Sequence, residues 1–391
     1  MELSKRDNAA LVRAVTFFQK EYRVWQRKKR QKKARRVTAR ARPTRLRYAF
    51  IGAGGIAGAH INALKKMDEV EIVALADIND VSMARHAENH GISECYTDYK
   101  EMLAKVQPDA VSICTPNGLH ARNAIDALNA GAHVLVEKPT AMNAREGEAM
   151  IDAAGRNKRK LVVAFQYRLA PNTTFLRRAT EAGQFGRILY ARSHALRRRG
   201  IPNWGVFGRK ELQGGGPLID IGVHILEVTD FVMGAPRPVA ATGQTFTYLG
   251  DKKCRTECQW PSWDYKTYTV EDLAVGQIRF ENGAMLTLEA SFAAHIEKNE
   301  WNFVIMGEKA GASWEPPAIF RDDAGYMVNT TPAYVPSAGF GELFDAKVRD
   351  FVDYVLYDKP TLSPAEDGLA VQKMLDAIYE SAEKGREVKI K

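Results

Sequence analysis

The sequence contains little cysteine and no long apolar run. Four cysteines in 391 residues (Cys95, Cys114, Cys254, Cys258) are too few for a disulfide scaffold and suit a reducing, cytoplasmic compartment. Cys254 and Cys258 are spaced C-x₃-C, but no second pair or histidine cluster accompanies them. Two reduced thiols in a loop are therefore expected, and no metal. No stretch of about 18 uncharged apolar residues occurs, which excludes a membrane-spanning helix. The N-terminus also lacks an apolar core ahead of a small-residue cleavage site, so no secretory signal is expected.

Acidic residues are scarce in one region only. Residues 1–47 hold 17 Lys/Arg against 3 Asp/Glu, a net +14, while the remainder holds 39 against 44, a net −5. The overall charge of +9 thus belongs to an arm on a mildly acidic body. The arm is read as a basic, partly helical extension over residues 1–45. Leu11, Val15, Phe18 and Tyr22 recur at helical spacing within 4–26, and "RKKRQKKARR" (Arg27 to Arg36) follows as a solvated like-charge block. A soluble tail, or an arm that reaches a neighbouring subunit, is favoured over contact with nucleic acid.

The length suggests about two domains. From Leu46 the text reads "LRYAFIGAGGIAG", a short apolar strand, a glycine turn and a helical pattern. Gly52 permits the tight turn and Gly54 lets the backbone approach a pyrophosphate. Ala57 is the small residue needed where helix meets strand. Gly55 and Ile56 complete the loop, and phosphate would sit on the free amides of the helix N-terminus. The next strand, "EIVALAD", ends in Asp77, placed to accept hydrogen bonds from a ribose diol and to repel a 2′-phosphate. NAD is expected, with NADP disfavoured.

Helices near 81–90, 119–131 and 144–157 alternate with the strands "DAVSICTP", "HVLVEKP" and "KLVVAFQYR". That alternation predicts an α/β Rossmann domain over 46–168, a doubly wound parallel sheet with helices on both faces. Ligands bind beyond the carboxyl ends of such strands. "TPNGLH" (Thr115 to His120) and "EKPTA" (Glu137 to Ala141) are two such ends. Thr115, Pro116, Asn117, His120, Glu137 and Lys138 are accordingly expected beside the cofactor.

After Arg168 the alternation stops, and 169–391 is read as a second α/β domain. "GGGPLIDIGVHILEVTDFVMG" opens a helix that carries Asp220 and His224 four residues apart, on one face. A histidine on an apolar helix is commonly a core residue, but a neighbouring carboxylate can steady its orientation or charge.

The glycine fingerprint, "EKP" at a later strand end and D-x-G-x-H on a helix beyond it together resemble the Gfo/Idh/MocA family, over Leu46 to the C-terminus. The resemblance implies NAD(P)-dependent oxidoreduction of sugars, cyclitols or their derivatives. It also implies a second domain whose open, mixed and largely antiparallel sheet serves subunit contacts, in a dimer or tetramer. "VEDLAVGQIRFENGAMLTLEASF" suits that sheet, with an Asn282–Gly283 hairpin turn. Carried over, the catalytic residues are Lys138, Asp220 and His224, and the Lys138–Pro139 bond is expected to be cis. His224 suits the role of base for a substrate hydroxyl; Lys138 would stabilise charge on the oxygen or itself be the base, and both options stand. Asp220 would orient His224 or bind a neighbouring hydroxyl, and Glu137 would anchor the loop or the cofactor.

The segment "HALRRRGIPNWGVFGRKELQGGGP" should border the substrate. Of Arg197, Arg198 and Arg199 at most two can face one ligand, because neighbours on a strand alternate sides. Trp204 is expected to stack on a sugar, with Trp260 and Trp263 as a second aromatic group. Arg168 and Asn172 flank the domain junction as further cleft residues. A neutral glycoside and one bearing a carboxylate fit equally. Three functions are carried: a sugar or cyclitol dehydrogenase, a glycoside-cleaving enzyme using transient ring oxidation, and a non-catalytic NAD-binding regulator.

Overall fold

The computed structural model describes residues 45–391; the expected arm helix over 4–26 lies outside the described residues. The first sheet is built from β1 (Leu46–Ile51), β2 (Val70–Ala76), β3 (Cys95–Tyr96), β4 (Ala110–Ile113), β5 (His133–Val136) and β6 (Leu161–Val163). Its order is β3-β2-β1-β4-β5-β6, all parallel. The strand order reverses between β1 and β4, and this opens the crevice in which such sheets bind ligands. β3 was not anticipated: two residues are too few to show a period.

The crossovers are α1 (Gly55–Leu64), α2 (Asp80–His90), α3 (Tyr99–Val106), α4 (His120–Asn129) and α5 (Ala144–Asn157). Local chemistry sets their ends. The side chains of Asn79, Asp98 and Asn143 accept from Ser82 N, Lys100 N and Glu146 N, capping α2, α3 and α5.

The second half contains α6 (Pro171–Glu181), β7 (Ile188–Leu196), α7 (Lys210–Gln213), α8 (Val223–Met233), β8 (Pro238–Phe246), β9 (Leu273–Phe280) and β10 (Met285–Ser291). β11 (Glu300–Gly307), β12 (Ala310–Ser313), β13 (Ala318–Asp323), β14 (Tyr326–Thr330), α9 (Phe340–Tyr357), α10 (Ala365–Lys384) and β15 (Val388–Lys389) follow. Nine strands form one sheet, β14-β13-β12-β11-β7-β10-β9-β8-β15. Only the β7–β10 pairing is parallel. The Asn282–Gly283 turn joins β9 to β10 as expected, with Gly283 at φ +85° and Asn282 Oδ1 accepting from Ala284 N.

Every residue of α8 is buried, which explains its nearly continuous apolar text. α9 packs back on the first sheet: Val348, Phe351 and Val352 share a core with Leu46, Tyr48 and Phe50. At about 1.5–3 kcal/mol per buried large apolar side chain, this return ties the second half firmly to the first.

Candidate active site

β5 ends at Val136, and the chain turns through Glu137 and a cis Lys138–Pro139 peptide. Lys138 then faces the start of the buried helix. Its Nζ donates to Asp220 Oδ1 at 2.7 Å and to the Asp220 carbonyl at 3.0 Å. An ammonium has three donors, so one N–H remains for a ligand. Asp220 sits in a π-helical turn, Leu218–Gly222, that runs directly into α8; such turns recur at functional sites. Lys138, Asp220 and His224 line one cleft of about 400 Å³, together with Ile56, Arg197 and Trp204.

His224 is 8% exposed. Its Nδ1 is buried without a partner, which leaves Nε2 as the nitrogen that opens to the cleft. The ring meets Tyr167 edge-on at 5.3 Å and leans on Trp301 at 6.4 Å. Burial first, and the Lys138 charge second, hold the imidazole well below its usual value of 6.5. It is therefore neutral across the physiological range and able to accept a proton.

Two expectations need correction here. Asp220 does not orient His224, because its carboxylate is taken by the Lys138 ammonium and no hydrogen bond joins it to the imidazole among the described residues. Arg168 does not reach the cleft. Its side chain is fully buried, with Nε on Glu227 at 2.7 Å and Nη1 on Asp367 and the Leu362 carbonyl. It ties α8 to the start of α10, a structural use that a buried cation requires.

Glu137 answers to residues far along the chain. Its Oε1 accepts from Lys347 Nζ of α9 and is bonded to His60 Nε2 at 2.9 Å. His60 Nδ1 continues to Ser112 Oγ, and that hydroxyl to Tyr48. Burial alone would raise the carboxyl, but the Lys347 charge and the His60 bond outweigh it and hold Glu137 far below the usual range. Its Oε2 accepts from Lys138 N at 3.3 Å, so the carboxylate anchors the loop that carries Lys138. Lys347→Met should leave this buried charge unpaired and cost about 3–5 kcal/mol by denaturant unfolding. Adding Glu137→Gln should restore much of that loss. Without Lys347, burial raises the carboxyl instead of the cation depressing it. The difference between wild type and Lys347→Met should therefore narrow as pH falls into and below the ordinary carboxylate range, where the variant's Glu137 takes up a proton that the wild type's does not.

The helix that carries His224 has its own anchor. Glu271 Oε2 accepts from Gly216 N at 2.9 Å, and Oε1 from Leu218 N at 3.1 Å and Tyr379 Oη at 2.8 Å. These bonds satisfy free amides at the start of the turn that presents Asp220. Sequence reasoning missed both Glu271 and Lys347. The second had a signal: Lys347 occupies the apolar stripe of α9, among Leu343, Phe344, Val348 and Phe351.

On the cofactor side, Gly52 takes φ +94°, and a Cβ there would lie 2.6 Å from the Cys114 carbonyl. Space beside Gly54 and Gly55 is open, and Ala57 is fully buried against the sheet. Asp77 accepts from Ala53 N and Asn79 N, one bond per oxygen, so each oxygen can still accept from a diol. Thr115 Oγ1 is buried without a partner, and Ile56 projects into the cleft at 39% exposure. These features fit a bound dinucleotide.

Pro116 is half-buried at the same rim. Asn117 and His120 brace the rim instead of facing it. Asn117 Nδ2 donates to Gln213 O, and the buried His120 ring lies between the carbonyls of Pro139 and Thr115. Gly52→Ala should strain the turn by about 1–3 kcal/mol. NADH affinity, read by fluorescence titration, should fall at least about tenfold, which is 1.4 kcal/mol.

The opposite wall is aromatic. Trp204 is half exposed and meets Trp260 at 4.7 Å and Phe207 at 6.2 Å, both edge-on. Trp263 is packing: it is buried and its indole N–H donates to Gly250 O. Of the three arginines only Arg197 lines this cleft. Arg198 turns outward to Glu297 O, and Arg199 to Ala294 O and His295. Asn172 lies in a neighbouring cavity, bonded to Glu315.

Residues 46–165 match the oxidoreductase family's NAD-binding Rossmann fold, and residues 177–390 match its C-terminal alpha/beta domain. The chain belongs to the Gfo/Idh/MocA oxidoreductases. Within this family it is similar to the D-glucoside 3-dehydrogenase of Escherichia coli, 37% identical over 88% of this chain and 97% of that one. The levoglucosan dehydrogenase of Pseudarthrobacter phenanthrenivorans is 29% identical over 79% of this chain and 87% of that protein. A solved levoglucosan dehydrogenase in complex with NADH superposes with a TM-score of 0.78 at 26% identity, covering 89% of this chain and 99% of that one. Family and fold agree with the architecture built above, a Rossmann domain followed by a largely antiparallel mixed sheet.

Proposed function

We propose that the protein oxidises a secondary ring hydroxyl of a glucoside, at carbon 3, in an NAD-dependent reaction. The observation that carries this reading is the convergence of the Lys138–Asp220 pair and His224 on one cleft beside the glycine turn. Likeness to a D-glucoside 3-dehydrogenase narrows the substrate to glucosides. NAD, when bound, supplies the acceptor for the hydride that leaves the alcohol carbon.

The chain's own residues do the rest. Neutral His224 takes the hydroxyl proton on Nε2 as the oxygen gains carbonyl character. Lys138, held in place by Asp220, gives its remaining N–H to that oxygen and stabilises its negative charge. Trp204 covers an apolar sugar face. A regulator that only sensed NAD would have no use for this trio.

The functional unit is a homo-oligomer that pairs through the large sheet. Support comes from exposed apolar residues on its strands, Leu189, Met306, Phe320 and Met327. Four free thiols support a cytoplasmic setting.

Purified protein with NAD⁺ should form NADH on a panel that includes methyl glucosides, hexoses and cyclitols, fastest with a glucoside. Release of the aglycone without NADH accumulation would replace this reading with cleavage through transient oxidation.

A further inference from the structure

We infer that Arg197 is a specificity-determining residue that selects glycosides bearing a carboxylate, of the uronic acid class. This deepens the glucoside reading above and rests on it.

Four charged residues line the cleft: Glu137, Lys138, Arg197 and Asp220. Lys138 pairs with Asp220, and Glu137 pairs with Lys347. Arg197 has no carboxylate within ion-pair distance among the described residues, so it is the one charge of this lining left without an ion pair. Its Nη1 donates to Gly200 O at 3.0 Å. Nε and Nη2 have no hydrogen-bond partner among the described residues, and neither is sealed from solvent. Two adjacent free N–H groups on a planar fork match the two oxygens of a carboxylate.

The fork is held in place before any ligand arrives. The Arg197 backbone N–H donates to Ser291 O at 3.0 Å and Ser291 Oγ at 3.1 Å. The guanidinium lies 5.6 Å from the Trp260 ring and 5.7 Å from Phe292. Its stem runs across Gly200 so closely that a Cβ there would sit 2.6 Å from Arg197 Cδ. Burial disfavours the charge, with Asp220 opposing; a ligand carboxylate would supply the missing partner. Trp260, on which the guanidinium rests, also backs Trp204. A sugar ring on Trp204 and an acid on Arg197 therefore fall on one continuous wall.

The test is binding of methyl β-D-glucuronide, methyl β-D-glucoside and methyl β-D-glucoside 6-phosphate to the NADH-loaded protein, by calorimetry, with NADH formation from NAD⁺ read in parallel. Wild type should bind the glucuronide at least about tenfold more tightly than the neutral glucoside, a difference of 1.4 kcal/mol. Arg197→Gln should bring the ratio of the two Kd values close to one. Gly200→Ala, which keeps the charge but moves the fork, should also lower the ratio. Equal binding of acid and neutral glycoside by wild type would overturn the inference. So would tightest binding of the phosphate, or a ratio unchanged in Arg197→Gln. A clear preference for the acid with no NADH from any glycoside would leave the role of Arg197 standing and sink the dehydrogenase reading.

Discussion

Lys138→Met should lower kcat for NAD-dependent oxidation by roughly a hundred- to a thousandfold, the usual cost of losing one preorganised donor at a developing oxyanion. The reason lies in how the ammonium is used. Two of its bonds go to Asp220, leaving one for the substrate oxygen, and methionine retains the bulk but none of the donors. NADH affinity should stay within a few fold, since the glycine turn and Asp77 stand on other strands. An equal fall in NADH affinity would show that Lys138 serves the cofactor site more than the chemistry. Asp220→Asn should be milder, because the backbone carbonyl of residue 220 still holds the ammonium.

His224→Ala should cost about a hundred- to ten-thousandfold in kcat, the range for a general base. Its acid–base behaviour gives a second readout. Burial and the Lys138 charge hold the imidazole below 6.5, so the wild-type acid limb of kcat/KM should fall below pH 6.5. Oxidation needs the neutral ring, and the rate is lost as pH drops through the ring's lowered pKa. In Lys138→Met the repelling charge is gone, the ring becomes more basic, and the limb of the residual activity should move up in pH. Burial remains, so the shift should be partial. A limb that does not move would remove His224 from the proton path.

The parts of the site that lie in compact motifs were legible in the sequence. The glycine turn, Asp77 at a strand end, "EKP" and D-x-G-x-H each place chemistry within a few residues, and the strand–helix alternation says which end of the sheet they occupy. What was not legible lies in contacts between distant segments. Glu137 meets Lys347 across 210 positions, and Gly216 meets Glu271 across 55.

Arg168 was misplaced because an arginine at a strand end reads the same whether it turns to solvent or inward to the buried Glu227 and the half-buried Asp367. The Asp220–His224 pairing failed for a related reason. Helical spacing brings two side chains to one face, but an ammonium arriving from β5 is a stronger partner for a carboxylate than a buried neutral ring. Arg197, by contrast, was narrowed from three neighbours to one by the geometry of the strand end.

The most direct test of the account follows a hydrogen. Wild-type protein is incubated with NAD⁺ and a glucoside carrying deuterium on its ring carbons, and the NADH and sugar products are analysed by mass spectrometry. The account predicts one deuterium in each NADH formed, one keto-sugar per NADH, and an intact glycosidic bond. Free aglycone with no NADH, or NADH without deuterium, would contradict it.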